Sequence, residues 1–320
     1  MSEHPLFDRL ALIGVGLIGS SIARAARAQG VVRSIAATAR SAATRQRVAE
    51  LKLADEVTDT NAAAAAGADL VIACVPVGQS GPVAQEIAAH LKPGAIVSDV
   101  GSVKGAVLDA MAPHMPAGVH LIPAHPVAGT EHSGPDAGFA ELFVNRWCIL
   151  TPPPAADAAA VERLAAFWRA LGANVESMPA EHHDLVLAMT SHLPHLIAYT
   201  IVGTAEDLSE VTRSEVLKFS AGGFRDFTRI AASDPTMWRD VFLANKDAVL
   251  EILGRFNEDV ATLTRAIRRG DGDTLFNLFT RTRAIRGGIV EIGQDSTAPD
   301  FGRAHPALAP LPRPYAADSE

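Results

Sequence analysis

The run LALIGVGLIGSS, residues 10–21, constrains the fold most. Gly14, Gly16 and Gly19 stand in G-x-G-x-x-G spacing, after a short apolar strand at 10–15 and at the opening of a helical pattern, 17–30, that closes on Gly30. Each glycine has a job in a nucleotide loop. Gly14 permits the tight turn, Gly16 lets a pyrophosphate approach the backbone, and Gly19 allows close helix packing. The N-terminal turn, at Leu17 and Ile18, supplies unpaired N–H groups and the positive end of the helix dipole.

Strand-like runs at 34–39, 68–76 and 95–101 each precede a helical pattern, so the first half predicts an α/β fold with a doubly wound parallel sheet. HLIPAHP (120–126) and RWCILTP (146–152) read as its last strands. Beyond about residue 180 strand signals stop, and helical patterns at 180–204, 206–218, 235–269 and 271–292 predict an all-α second domain. The expected division is a Rossmann dinucleotide-binding domain at 1–179, an all-helical domain at 180–296, and a Pro-rich tail at 297–320.

Apolar residues make up 48% and charged residues 20% of the 320, which is globular composition. A net charge of −8 argues against nucleic acid or an anionic membrane as partner. Cys74 and Cys148 lie in apolar runs and are expected to be reduced, buried thiols. The N-terminus, MSEHPLFDRL, shows no secretory pattern. The stretch 185–205 lacks Asp, Glu, Lys and Arg and imitates a membrane span, but His192, Pro194 and His195 sit inside it. It reads as a buried helix at a domain core or subunit interface, and the protein as cytoplasmic.

An NAD site usually carries an acid about 20 residues past the glycine loop, on the ribose hydroxyls. None occurs between Ala11 and Ala49, and Ala39 stands near the expected place. Arg40 and Ser41, with Arg45 beside them, are placed to hold a 2′-phosphate instead. The expectation is NADP, with dual use of NAD and NADP as the alternative if the arginines only line a solvated helix face.

His125, in HPVAGTEHSG (125–134), follows a strand and should face the nicotinamide, where a neutral imidazole can take a hydroxyl proton. The alternative is a solvated loop histidine. His182, His183, His192 and His195 invite a metal reading, but 182 and 183 cannot both face one site on a helix, and no metal is expected. Arg225 and Arg229, four apart in GGFRDFTRIAASDPTMWRD (222–240), would share a helical face as a carboxylate clamp, unless they merely pair with Asp226 or Asp240. Taken residue by residue, these features lead to the expectation of a pyridine-nucleotide dehydrogenase acting on a small anionic hydroxy compound.

LIGVGLIGSS, SDVGSVK (98–104), HPVAGTEHSG, TSHLPH (190–195) and GGFRDFTRIAASDPTMWRD resemble, in that order, the motifs of the prephenate/arogenate (cyclohexadienyl) dehydrogenases of tyrosine biosynthesis. The resemblance runs from about residue 9 to about 290. It implies a Rossmann domain, a helical domain that forms a homodimer, and oxidative decarboxylation with hydride transfer to NAD(P). On the matching positions, His125 resembles the base and Ser102 the serine that orients it and the substrate hydroxyl. His195 and Arg229 resemble the substrate-binding histidine and the carboxylate-binding arginine. Thr130 and Glu131 match the loop beside the pocket. Neither a fused chorismate mutase nor a regulatory ACT domain is expected, so tyrosine feedback would act at the active site. The rival readings are another two-domain dehydrogenase of the β-hydroxyacid type and a non-catalytic nucleotide sensor on the same scaffold.

Overall fold

Strand and helix alternate through the first half. The order is β1 (Phe7–Ile13), α1 (Leu17–Gln29), β2 (Val32–Thr38), α2 (Ala42–Glu50), β3 (Glu56–Thr58), α3 (Asn61–Ala65), β4 (Leu70–Ala73), α4 (Ser80–Ile87), β5 (Ile96–Asp99), α5 (Lys104–Met111) and β6 (His120–Leu121). The computed structural model describes residues 5–130, 132–207, 215, 218 and 222–291. The six strands form one parallel sheet in the order β3-β2-β1-β4-β5-β6. That is the Rossmann order, with its switch point between β1 and β4.

Both faces of this sheet are covered, so its central strands carry apolar side chains in succession. Leu10 and Leu12 of β1 pack on one side with Ile22, Phe143, Phe167 and Trp168. Ala11 and Ile13 face the other side with Val71, Ile87, Val97 and Met111. Period-two alternation makes this division. Burying one such Leu or Ile contributes about 1.5–3 kcal/mol. Helix α1 buries Gly19, Ser20, Ser21, Ala23, Ala25 and Ala26, small residues that bring its axis close to the sheet, and Gly30 ends it in the left-handed region at φ 62°.

Of the two runs expected to finish this sheet, only His120–Leu121 does so, as β6; the remainder does something else. After β6, β7 (Ala124–Pro126) pairs antiparallel with β8 (Trp147–Leu150), and β8 pairs parallel with β9 (Asn174–Ser177), in a separate three-stranded sheet. The reason is Pro123, which has no N–H for the ladder and interrupts the run 120–126. Beyond it, Ala124 N donates to the Asp99 side chain rather than to a strand. Helix α6 (Ala158–Ala170), between β8 and β9, delivers Phe167 and Trp168 to the core.

The second half is helical. It contains α7 (Ala180–Leu187), a π turn (Ala188–His192), α8 (Leu193–Glu206), α9 (Gly222–Thr228), a 3-10 turn (Arg229–Ala232), α10 (Pro235–Ala244), α11 (Lys246–Arg269) and α12 (Gly272–Glu291). The pattern 235–269, read as one helix, is broken at Asn245 (φ −110°, ψ 31°). The buried Asn245 amide donates to the Asp184 carbonyl across the fold, which fixes the bend there. Most of the 206–218 pattern and the 297–320 tail lie outside the described residues. Helix α10 seats Trp238 and Val241 on Val103, with Val77 beside them, so the helical half abuts the carboxyl end of β4 and the start of α5.

Candidate active site

The glycine loop has the shape a dinucleotide needs. Gly14 sits at φ +91°, and a Cβ there would collide with the Cys74 carbonyl. A Cβ at Gly19 would collide with the Gly14 carbonyl, whereas nothing lies within 4 Å of one at Gly16. The first and third glycines are therefore needed for packing, and the second faces open space at the N-terminus of α1. Leu17 and Ile18 are half-buried in its first turn and pack on the core. No acidic side chain occupies that turn.

The turn after β2 carries the expected basic residues in different roles. Ser41 caps α2, its Oγ accepting from Thr44 N at 3.0 Å. Arg45 donates to the Ala39 and Arg40 carbonyls and pairs with Asp59, so it is spent on the turn itself. Arg40 is exposed and makes no ion pair among the described residues.

His125 sits on β7 and is 8% exposed. Its backbone is held from two sides. Lys104, fully buried, donates from Nζ to Asp99 Oδ2 at 2.5 Å and to the Ala124 carbonyl at 2.7 Å, and Asp99 Oδ1 takes Ala124 N. This buried ion pair ties the end of β5 to the residue before the histidine. Burial, then the nearby His183, Lys104 and His192, push the His125 imidazole well below its usual pKa, so it is neutral at physiological pH.

The imidazole meets the helical half directly. His125 Nδ1 lies 2.9 Å from Nε2 of the buried His183, whose Nδ1 lies 2.8 Å from Asp184 Oδ1. Asp184 also accepts from Lys104 N and Gly105 N at the start of α5. Burial pushes Asp184 up, but the His183 and backbone hydrogen bonds outweigh it and leave its pKa below the ordinary value. His125 Nε2 carries no hydrogen bond among the described residues. Sequence reasoning passed over His183 and Asp184, because in "EHHDL" the adjacent histidines looked only like a poor metal pair. The signal was the helical phase, which buries His183 and leaves His182 exposed.

A second group continues the line. Asn245 Nδ2 lies 3.1 Å from Nδ1 of the buried His192. Burial lowers the His192 pKa to about 4, with the Asp184 charge opposing. His195 stacks on Trp238 with centroids 3.7 Å apart. Its Nδ1 lies 2.8 Å from the Ser191 carbonyl, which only accepts, so Nδ1 carries the proton and Nε2 the lone pair. Burial lowers its pKa against that hydrogen bond, and the Arg229 charge lowers it further.

Arg229 opens the 3-10 turn, exposed and without an ion pair among the described residues. Arg225 instead pairs with Asp226 and Arg239 with Asp240, both at the surface. The helix ends between Arg225 and Arg229, so they do not act as the shared-face clamp their spacing suggested. Ser102 is half-buried in the β5–α5 loop, and its hydroxyl makes no hydrogen bond among the described residues. His125 Nδ1 meets His183 Nε2, and no hydrogen bond joins His125 to Ser102 among the described residues. Thr130 is exposed, and its Oγ1 accepts from His132 N. Glu131 lies outside the described residues.

Comparison with known proteins fits this arrangement. The family model for the prephenate dehydrogenase nucleotide-binding domain matches residues 22–177, and that for the prephenate dehydrogenase dimerization domain matches 179–281. A cyclohexadienyl dehydrogenase from Zymomonas mobilis is 43% identical over 281 residues, covering 88% of this chain and 96% of the relative. A prephenate dehydrogenase from Bacillus subtilis is 34% identical, covering 92% of this chain and 79% of its own. Among solved structures, Aquifex aeolicus prephenate dehydrogenase in complex with hydroxyphenyl propionate and NAD+ superposes with a TM-score of 0.82. It is 31% identical and covers 88% of this chain and 98% of that one. With a Rossmann sheet, a helical partner half and a buried histidine at their seam, the chain belongs to the prephenate dehydrogenase family.

Proposed function

We propose that the chain catalyses the NAD(P)-linked oxidative decarboxylation of prephenate, arogenate or both, yielding 4-hydroxyphenylpyruvate or tyrosine in tyrosine biosynthesis. The observation that carries this reading is the neutral, buried His125 at the seam, one nitrogen engaged and the other bare, with His195 and Arg229 further along the facing helices. When bound, the nicotinamide supplies the acceptor for the hydride that leaves the ring carbon bearing the hydroxyl.

His125 takes the hydroxyl hydrogen as that carbon is oxidised. The ring carboxylate departs as carbon dioxide, its bonding pair completes the aromatic ring, and the proton returns to the phenolic oxygen. The reaction therefore releases no net proton. The base needs to lend and reclaim one, which suits a neutral imidazole in a dry site. Arg229 binds a substrate carboxylate and His195 a second polar group. On the family motif, Ser102 orients the substrate hydroxyl and Thr130 and Glu131 flank the substrate.

The reading extends to cofactor, assembly and place. Arg40 holds the 2′-phosphate of NADP, supported by its free guanidinium and the missing acid. The Rossmann domain ends at 179, and the helical domain from 180 forms a homodimer, supported by its exposed apolar side chains. The enzyme works in the cytoplasm. The run Ala180–Glu206 is long and apolar enough by length and composition to cross a membrane. Its buried His183, Asp184 and His192 are instead engaged with the Rossmann half and Asn245, as a soluble enzyme requires.

The test is initial rates with prephenate and arogenate, each with NAD and NADP, on wild type and two variants. His125→Asn is expected to lower kcat by about 10²-fold or more with little change in KM. Retained kcat would remove His125 as the base. Arg40→Ala is expected to reduce the NADP-over-NAD ratio of kcat/KM by about tenfold, one charge-assisted hydrogen bond. An unchanged ratio would leave the cofactor bound without Arg40.

A further inference from the structure

We infer that His183 and Asp184 are positioning residues that decide which nitrogen of His125 acts on the substrate. The inference rests on reading His125 as the base and goes one step behind it. It follows from counting protons along a line of hydrogen bonds.

The line starts at Asp184. Its two carboxylate oxygens accept the backbone N–H groups of Lys104 at 2.8 Å and Gly105 at 2.9 Å, the first two residues of α5. Two main-chain donors at the positive end of a helix favour the ionised carboxylate. An ionised carboxylate only accepts, so His183 Nδ1, 2.8 Å from Oδ1, carries a proton. A neutral imidazole has one N–H, so His183 Nε2 presents a lone pair. It faces His125 Nδ1 at 2.9 Å, and Nδ1 must donate. The one remaining nitrogen, His125 Nε2, is left with a lone pair. It is also the nitrogen without a hydrogen bond among the described residues.

The opposite tautomer of His125 would set two lone pairs against each other at 2.9 Å inside a buried contact. An unmet pairing of that kind costs about 1–3 kcal/mol. The surroundings also favour neutral rings. Lys104 and His192 face His125 from α5 and the π turn, and burial opposes charging both His125 and His183.

During turnover the same line moves charge. As His125 Nε2 takes the hydroxyl proton, the Nδ1 proton shifts toward His183 Nε2. The positive charge is then shared with a ring that Asp184 already holds, and each shift reverses when the proton returns to the product oxygen. No protein group outside the line gains or loses a proton.

The decisive measurement uses full-length, ligand-free wild-type protein labelled with ¹⁵N-histidine. Two-bond ¹H–¹⁵N correlation spectra report which nitrogen of each ring is protonated, and the His125→Asn spectrum identifies the His125 signals. A proton on Nδ1 and a bare Nε2 at His125 support the inference. A proton on Nε2 overturns it, whatever the kinetics of the variants. In kinetics, Asp184→Asn is expected to lower kcat by about 10²-fold, with KM changed less than about threefold, and to mix the His125 tautomers. His183→Gln keeps an acceptor toward His125 and a donor toward Asp184. It should retain activity within about tenfold of wild type, whereas His183→Leu should fall with Asp184→Asn. A Gln variant as impaired as Leu, or an Asp184→Asn protein with wild-type kcat and spectrum, would overturn the positioning role. Failure of the base reading shows separately, as an active His125→Asn.

Discussion

The two halves of the molecule close their apolar surface in opposite ways. Every one of the bulkiest fully buried side chains, from Phe7 to Trp168, lies before residue 170. Among the described residues, the exposed large apolar side chains, apart from Val127 and Phe139, all lie in the helical half, including Leu243, Leu250, Ile267, Phe276, Phe279 and Ile285. Among the described residues, helices α11 and α12 bury only the apolar side chains of Val249 and Ala266. The sheet completes its own core. The helices leave theirs open to solvent, within the stretch that matches the dimerization-domain model. The polar site sits where the self-sufficient half meets the dependent one, so its geometry draws on both.

That contrast can be broken at either end. The largest effect is expected from Phe276→Asp combined with Phe279→Asp, three residues apart on one face of α12. Two charges in an apolar interface should weaken self-association by about 10³-fold or more, about 4 kcal/mol. Sedimentation should then find a monomer whose glycine-loop half still binds cofactor. A protein that stays dimeric would place the interface on another face.

Next comes Leu12→Ala, a cavity between β1 and the Phe167–Trp168 layer. It should cost about 3 kcal/mol in chemical denaturation while leaving the oligomeric state unchanged. A loss below about 1 kcal/mol would mean that this core is less tightly closed than its burial indicates.

The seam itself responds to pH. His192 keeps a folded pKa of about 4 against 6.5 unfolded, so the unfolded chain binds more protons between those values. Stability from this group is full above about 6.5 and declines as pH falls. Between about pH 7.5 and about pH 5 the loss should be about 2 kcal/mol, and His125 and His183 add to it with the same sign. His192→Asn should flatten part of that slope in thermal unfolding. An unchanged slope would assign the pH sensitivity to the other histidines.

What the sequence made legible follows the same division. The glycine spacing, the apolar runs of β1, β4 and β5 and the Gly30 stop are local signals, and local signals specify a parallel sheet well. The direction of β7 against β8 is not local. An apolar run does not say whether its partner runs with or against it, and Pro123 interrupts the strand without revealing where the chain turns next. The break at Asn245 was hidden for a related reason. Neither Gly nor Pro marks it, and its cause is a hydrogen bond to Asp184, 61 residues away. Within the site, His125 was legible as a single residue in a single local motif. His183 and Asp184 were not, because their role exists only once α7 lies against β7.

The π turn at Ala188–His192 carries a consequence for anyone who would move this site to another protein. A π turn holds one residue more than an α turn in the same climb, and one residue is worth about 100° of rotation about the axis. Along a continuous span, α8 is therefore rotated out of phase with α7. His183, before the turn, is aimed at His125, and His195, after it, is aimed at Trp238. Deleting a single residue such as Thr190 would restore ordinary winding and swing one set of side chains off its target. The span works as a two-position key cut on one shaft, and its offset has to be copied along with its teeth.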